Sequence, residues 1–336
     1  MDINGSKIAK NNNDFSTDNQ NIFSLSFTDV DGLKEFFAYS GLEIIQLTPG
    51  SLQAEFLSIQ VGDIHFIYIQ TNQGTQSFGE DMKEYRSFSI AWFENEAEFF
   101  SYRHPIDPRR TLFGFNGMGA DFVVSQGGAM IEIYIPLKTF HTYAEQLQRY
   151  DLDDNFLSRN HVNLLPAGMK EIKDYLKQLF WLARHKPTWL HKPHVIELVT
   201  NDFLPLLISK IPNKRRSKNF LKPSRRTKLI AQAEQKMLAS FEEPLTLKQL
   251  AQELESSSSA LSYGFKELFG MSPMRYLKVR RLNALRQRLK ASNPENFTIT
   301  MLASQFGFWS PGHFTRDYKA MFGELPSETL RKTAKS

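Results

Sequence analysis

The chain of 336 residues contains no cysteine, so disulfides, thiolate catalysis and cysteine-ligated metal sites are excluded. No uninterrupted apolar run reaches the length of about 18 residues that is typical of a membrane-spanning helix. The first 20 residues are rich in Asn and Asp and lack the apolar core of a signal peptide. These absences predict a cytoplasmic location.

Signatures of enzymes and metal centres are also scarce. No G-x-S-x-G segment occurs, and the glycines at 114, 117 and 119 have the spacing G-x-x-G-x-G rather than that of the dinucleotide-binding motif. Among the eight histidines, His65 has no second histidine close by, and His104 precedes a proline. We therefore expect no enzymatic activity, no cofactor and no metal site.

Charge is distributed unevenly along the chain. Residues 1–203 contain 17 Lys+Arg and 26 Asp+Glu, a net charge of −9, whereas residues 204–336 contain 24 and 10, a net charge of +14. A basic half joined to an acidic half is typical of a nucleic-acid-binding module attached to another domain. The opposite charges also favour a salt-sensitive contact between the two halves.

Short strand-like segments dominate the first part of the chain. After a tail at 1–21 that we expect to be disordered, they are aromatic or β-branched and are separated by Gly, Asn and Asp. The predicted strands are 52–60, 64–70, 87–93, 98–102, 110–115 and 129–136. Many short strands without long helices indicate a small barrel or sandwich.

The periodicity becomes helical after residue 136. Helices are predicted at 137–150, 167–185 and 193–208, which completes a domain over 22–209. A linker at 210–226 follows, and residues 210–228 contain nine basic residues and no acidic one. It is either a DNA-contacting arm or a solvated tether. A helix at 227–241 then begins the last domain, 227–336.

The last domain contains one apolar pattern written twice. Leu247, Leu250, Ala251 and Leu254 recur 52 positions later as Ile299, Leu302, Ala303 and Phe306. After a one-residue insertion, Leu261, Phe265, Lys266, Phe269, Gly270 and Pro273 recur 53 positions later as Phe314, Tyr318, Lys319, Phe322, Gly323 and Pro326. Such an internal duplication predicts two copies of one structural unit.

Each copy predicts two short helices joined by a tight turn, which is a helix-turn-helix. Thr246 followed by Gln249 is a capping-box start. In the turn of the second copy Gly307 can adopt a left-handed backbone at little cost, whereas the first copy has Glu255, which should cost some local stability. Between the copies, Ser272-Pro273 begins a helix to about residue 290, long enough at roughly 27 Å to hold the two units about one DNA turn apart.

These residues resemble the DNA-binding domain of AraC/XylS-family transcription regulators. The resemblance rests on Leu250, Ala251, Leu261, Phe265, Lys266, Gly270, Ser272, Pro273, Tyr276, Leu277, Arg281, Leu282, Gly307, Phe308, Phe314, Tyr318, Lys319, Phe322, Gly323, Pro326, Ser327 and Arg331. The chain departs from the family pattern at Glu255, Leu285 and Trp309-Ser310. The resemblance implies a cupin-like sensor barrel upstream, helices that mediate a homodimer, and operator or promoter DNA as partner, with RNA polymerase as a further candidate partner.

Nine residues are predicted to face DNA. They are Ser259, Ser262, Tyr263, Lys266, Gly312, His313, Thr315, Arg316 and Lys319. By family position Gly312, His313 and Arg316 point at the major groove, where arginine can bond O6 and N7 of guanine together. Alternatively, Arg316 contacts only phosphate or pairs with Asp317. Because only Tyr263 has reach in the first unit, we expect the second unit to supply more of the sequence discrimination.

Aromatic residues of the β region are candidates for an effector cavity, since small-ligand sites are mostly apolar and concave. They include Phe66, Tyr68, Trp92, Phe113 and Tyr134. The alternative is that each of them only fills the core.

The sequence thus predicts an α+β protein with an N-terminal mostly-β barrel or sandwich followed by helices, and a C-terminal all-α domain with two helix-turn-helix motifs. Its expected function is sequence-specific DNA binding and transcription regulation under control of a small-molecule effector, with activation and repression both open. An architectural DNA-binding protein without an effector and a cupin-type enzyme fused to a DNA-binding tail are the alternatives.

Overall fold

The computed structural model describes residues 21–38, 41–79, 84–92, 98–115, 119–213, 225–239, 241, 243–292 and 297–333. The predicted disordered tail, apart from residue 21, and most of the basic linker lie outside the described residues. In the described part, no helix is long and apolar enough to cross a membrane.

The N-terminal region is built from two antiparallel sheets. The strands, in chain order, are β1 (Ile22–Phe27), β2 (Leu42–Gln46), β3 (Ala54–Val61), β4 (Ile64–Thr71), β5 (Thr75–Gly79), β6 (Tyr85–Ala91), β7 (Phe99–Ser101), β8 (His104–Pro105), β9 (Thr111–Phe113), β10 (Ala120–Val124), β11 (Ala129–Pro136) and β12 (His161–Asn163). Seven strands form one sheet in the order β1-β3-β4-β11-β6-β9-β12, and five form the other in the order β2-β5-β10-β7-β8.

Helices cover the seven-stranded sheet. They are α2 (Leu137–Gln146), α3 (Asp154–Leu157), α4 (Pro166–His185), a 3-10 helix (Pro187–His191) and α5 (Pro193–Lys210), and a further helix, α1 (Val30–Ala38), precedes β2. Along β11, Ile131, Ile133 and Ile135 alternate onto one face because side chains of a strand repeat every two residues. They share a core with Leu176 of α4 and Phe203 of α5.

The predicted mostly-β fold followed by helices is confirmed, and the strand predicted at 129–136 has those bounds. The sequence analysis missed β1, β2, β5, β10 and the short strands β8 and β12, and it placed no helix before residue 137, where α1 lies. In β2 and β10 the apolar residues do not simply alternate with polar ones, because both faces of these strands are covered.

The C-terminal region is entirely helical in its described part. Its helices are α6 (Arg225–Ala239), α7 (Leu247–Glu253), α8 (Ser258–Phe269), α9 (Pro273–Lys290), α10 (Ile299–Gln305), α11 (Pro311–Phe322) and α12 (Pro326–Thr333). The two predicted helix-turn-helix motifs are α7–α8 and α10–α11, and α9 connects them.

Local signals in the sequence account for these helix ends. Thr246 and Gln249 form the predicted capping box of α7, and the side chain of Ser272 caps α9. Gly307 has φ of +77°, and Glu255 adopts a left-handed backbone at +47° in the matching turn. A left-handed conformation is unfavourable for a residue with a side chain, so the backbone of Glu255 has the conformation for which a local cost is expected.

Both regions contribute to one hydrophobic core. Ile45 of β2 and Val123 of β10 lie in the same cluster of buried residues as Met237 of α6 and Tyr276 of α9. The five-stranded sheet therefore packs against the helical region through a shared apolar interior rather than facing solvent.

Candidate nucleic-acid interface

The first candidate recognition helix, α8, buries one face and exposes another. Its buried residues, Leu261, Gly264, Phe265, Leu268 and Phe269, recur at helical spacing. On the other face Ser259, Tyr263 and Lys266 are exposed and Ser262 is half-buried. Tyr263 is 59% exposed, so the one long aromatic side chain of this face is available to a partner.

The second candidate recognition helix, α11, has the same design. Phe314, Tyr318, Met321 and Phe322 are buried, whereas Gly312, His313, Arg316 and Lys319 are exposed. Thr315 is half-buried and its hydroxyl donates to the carbonyl of Pro311 at 2.8 Å. The structure therefore brings the predicted residues of each unit onto its exposed helix face.

The alternative partner proposed for Arg316 is engaged elsewhere. Asp317 forms an ion pair with Lys278 of α9, with 2.5 Å between Lys278 Nζ and Asp317 Oδ2. This ion pair joins α11 to the connecting helix and leaves the guanidinium of Arg316 on the exposed side of α11.

The helical region meets the N-terminal region through two polar clusters that are centred on the buried residues Glu234 and Arg286. The first, the Glu234 cluster, consists of Glu234, Arg103, Gln76, Tyr276 and Asp121. The carboxylate of Glu234 accepts hydrogen bonds from Arg103 Nε at 3.0 Å and Nη2 at 2.6 Å, from Gln76 Nε2 at 3.0 Å and from the Tyr276 hydroxyl at 2.6 Å. Arg103 also binds Asp121 at 2.6 Å.

Electrostatics in the Glu234 cluster follow from burial and charge pairing. Burial alone would lower the pKa of Arg103, but the carboxylates of Glu234 and Asp121 raise it above its ordinary value. Burial, and then the charge of Glu234, raise the pKa of Tyr276 well above 10. The Tyr276 hydroxyl thus remains protonated and donates to the carboxylate.

Arg103 is presented from a strained turn. Tyr102 and Arg103, the two residues between β7 and β8, have φ of +48° and +61°. Two positive φ values are typical of a type I′ hairpin turn, in which glycine and asparagine are preferred. Strain of this kind persists where the surroundings hold it, and here the ion pair with Glu234 does so.

The second cluster, the Arg286 cluster, consists of Arg286, Asp31, Glu324, Lys290 and Glu35. Arg286 Nε lies 2.6 Å from Asp31 Oδ2, and its Nη1 lies 2.7 Å from Glu324 Oε1. Lys290, one turn further along α9, lies 3.4 Å from Asp31 and 3.5 Å from Glu35. These ion pairs join α9 to α1 and to the residues that follow α11.

Polar contacts between the two clusters complete the interface. Asn283 of α9 donates to the carbonyl of Gln46 at 2.9 Å and accepts from the Gln46 amide at 3.2 Å. The Gln46 side chain donates to the carbonyl of Met321 at 2.8 Å, and the Gly50 amide lies 3.0 Å from the carbonyl of Ala320. The N-terminal region therefore contacts α6, α9 and the end of α11 at once.

Lys34 of α1 lies beside the Arg286 cluster. The pKa of Lys34 is lowered to about 8, chiefly by burial; the carboxylates of Asp31 and Glu43 oppose this shift, and the cations Arg286 and Arg280 add to it. The interface thus contains a lysine that loses its charge at a lower pH than a solvent-exposed lysine does.

The sequence analysis predicted a contact between the two halves but not the residues that form it, although one signal for them was present. Tyr276, Arg280, Asn283 and Arg286 recur every three or four residues along α9, and all four are buried. A polar stripe at helical spacing, separate from the apolar stripe, indicates a second packed face of the helix.

The five aromatic effector candidates do not converge on one cavity. Phe66 is fully buried against Phe203, at 5.1 Å between ring centroids, whereas Phe113 packs in a different cluster with Phe99 and Phe122. Tyr68 and Trp92 are half-buried at the edge of the core that contains Phe66, and the hydroxyl of Tyr134 donates to Glu132. An effector role for these residues stays a prediction.

Histidines are dispersed in the structure. His104 and His161 are 5.9 Å apart between ring centroids, and burial lowers the pKa of each. Among the residues described, no group of three or more His, Asp or Glu side chains is arranged to hold a metal ion.

Comparison with known proteins gives matches to the helical region. A family model described as a helix-turn-helix domain matches residues 250–332. Over 93 residues the chain is 38% identical to the probable thc operon regulatory protein of Rhodococcus erythropolis and 33% identical to the XylDLEGF operon transcriptional activator 3 of Pseudomonas putida. Each match covers 28% of this chain and 28% of the relative, so the chain spans little more than a quarter of the length of these curated relatives.

A solved structure gives a similar match. The crystal structure of a probable AraC family transcriptional regulator from Rhodopseudomonas palustris CGA009 is 35% identical, with 32% of this chain and 97% of that chain covered and a TM-score of 0.30. A TM-score of 0.30 does not support a structural comparison, so the similarity of the helical region to these regulators is based on the sequence matches. The C-terminal region, over residues 250–332, is a helix-turn-helix domain similar to that of AraC/XylS-family transcription regulators.

Proposed function

We propose that this protein is a DNA-binding transcription regulator that inserts α8 and α11 into the major groove of an operator. The observation that carries the proposal is the division of α11 into two faces. One face is buried in the core, and the other exposes Gly312, His313, Arg316 and Lys319. A helix with this division, set in a region of net charge +14, is suited to duplex DNA.

The two faces contribute different energies. Lysine and arginine side chains on phosphates supply affinity that does not depend on sequence and falls with salt. Contacts of Arg316 and His313 to base edges supply sequence preference. In α8, the short side chains Ser259 and Ser262 favour phosphate bonds and packing, so the second unit carries more of the discrimination.

We further propose that the N-terminal region controls DNA binding in response to a small-molecule effector. This proposal is supported by the interface itself. Glu234 joins α6 to the turn of Arg103 in the five-stranded sheet, and Arg286 joins α9 to α1. A change in the sensor region can therefore reach both helix-turn-helix units through α9. One relative is named as an operon transcriptional activator, which favours an activating role; a homodimer and contact with RNA polymerase are parts of the proposal that the names do not address.

The test is a gel-shift titration of the purified chain on DNA upstream of its own coding sequence, with an unrelated duplex of equal length as competitor. The proposal predicts a discrete complex that survives excess unrelated duplex, and a ligand from a metabolite panel that raises the melting temperature and changes this binding. A smear that the competitor removes at once would instead indicate an architectural DNA-binding protein.

A further inference from the structure

Helix α6 lies against the first recognition helix more closely than a side chain would allow. A Cβ atom placed on Gly264 of α8 would lie 2.5 Å from Cδ1 of Ile230 and 3.6 Å from Cγ of Arg226. Contacts below 3 Å do not occur between real atoms of this kind, so glycine is what lets α6 reach α8. Any duplex that touches the outer face of α8 therefore lies near the first turns of α6.

Arg226, in the first turn of α6, is coupled to the exposed side of α8 by two interactions. Its guanidinium carbon lies 4.6 Å from the ring centroid of Tyr263, the long aromatic side chain on that face. Its Nη1 atom lies 2.8 Å from Glu267 Oε2. Stacking on an aromatic ring and pairing with a carboxylate together hold the guanidinium in one orientation.

Arg226 nevertheless remains accessible. Its side chain is 53% exposed and that of Glu267 is 48% exposed, so the ion pair between them is solvated and contributes little to stability. A guanidinium has five donors, and a phosphate with two acceptor oxygens can bind those that Glu267 does not use. Arg225 and Lys228 are exposed beside it, which makes this end of α6 strongly positive.

We propose that Arg226 is a third DNA-contacting position, outside both helix-turn-helix motifs. Its guanidinium binds a backbone phosphate beside the half-site of α8, and its stacking fixes the ring of Tyr263 toward the same strand. The inference rests on the proposed DNA-binding function and deepens it by adding a phosphate contact and a positioning role at the first unit.

Salt dependence of DNA binding tests this contact. Each phosphate that a cation neutralises contributes about −0.9 to the slope of log K against log salt concentration. On the duplex from upstream of the coding sequence, Arg226→Gln is expected to make the slope shallower by about 1 and to weaken binding most at low salt. The fluorescence anisotropy of the labelled duplex measures both the salt slope and the affinity, whether or not the protein prefers one DNA sequence.

Two variants provide matched controls. Lys236→Gln removes one positive charge from the same helix at its other end, where Lys236 pairs with Glu253 at 3.1 Å, and it should leave the slope unchanged. Glu267→Gln removes the competing carboxylate and should leave the slope unchanged with equal or tighter binding.

The positioning role has its own readout. The losses of DNA affinity caused by Tyr263→Ala and Arg226→Gln should not be additive, because each substitution removes the same stacking of Arg226 on Tyr263. The double variant should therefore bind DNA within about threefold of the weaker-binding single variant. Full additivity would contradict the positioning role.

A purely structural role gives a different pattern. If Arg226 only braces α8 through Glu267, then Arg226→Gln and Glu267→Gln will lower the melting temperature alike and leave the wild-type slope unchanged, which overturns the inference while the proposed function stands. If wild-type protein does not bind the duplex at all, the proposed function fails first and the inference falls with it.

Discussion

Replacing Arg286 by alanine is expected to lower the free energy of unfolding by about 3–5 kcal/mol, because removal of one partner leaves buried charge uncompensated. The side chain of Arg286 is 2% exposed and that of Asp31 is 4% exposed. The variant would leave the carboxylates of Asp31 and Glu324 without their cation in a site with little solvent. It would also remove the packing of the guanidinium on the ring of Phe322, whose centroid lies 4.7 Å away.

Urea denaturation of the full chain measures this effect. Because Arg286 joins α9 to α1, we expect the variant to unfold at a lower urea concentration than wild type. The matched control is Lys290→Ala, one turn further along the same helix, whose side chain is 28% exposed; pairs of this kind contribute about 1 kcal/mol or less. An Arg286→Ala protein that unfolds at the wild-type midpoint would contradict the assigned role of the Arg286 cluster.

Replacing Glu234 by alanine is expected to have an effect of the same size, about 3–5 kcal/mol, for a related reason. Glu234 is 5% exposed and accepts hydrogen bonds from three side chains. Without it, the guanidinium of Arg103 retains only Asp121, and the buried hydroxyl of Tyr276 loses a charged acceptor. The turn of Tyr102 and Arg103 would then keep its strain without the contact that holds it.

Glu253→Ala is the control for this variant. Glu253 pairs with Lys236, which lies in α6 as Glu234 does, but the side chain of Glu253 is 47% exposed. It should shift the unfolding midpoint very little. Hydrogen exchange locates the effect: in Glu234→Ala, amides of β7 and of α6 should lose protection together. Unchanged protection in both elements would indicate that the Glu234 cluster does not couple the two regions.

The helical region was largely predictable because its signals are local. Thr246 with Gln249 and Ser272 with Pro273 marked helix starts through contacts within a few residues. Gly307 marked a left-handed turn that no other residue type adopts as cheaply. The apolar spacing, repeated twice, fixed which faces of α8 and α11 are buried and therefore which residues are exposed.

The interface between the regions was not predictable in the same way because its partners are distant in sequence. Arg286 and Asp31 are 255 residues apart, and Gln46 and Asn283 are 237 apart. For β2 and β10, burial on both faces removed the alternation on which strand prediction depends.

We propose above that the exposed face of α11 reads DNA sequence. Footprinting with wild-type protein and with Arg316→Ala tests this claim most directly. On DNA upstream of the coding sequence, wild type should protect a discrete site. The variant should lose or relax that protection, with affinity for the site reduced about 5- to 150-fold, as expected for a contact worth about 1–3 kcal/mol. Salt-dependent coating without a discrete site, identical in both proteins, would contradict the claim and reduce Arg316 to a phosphate contact.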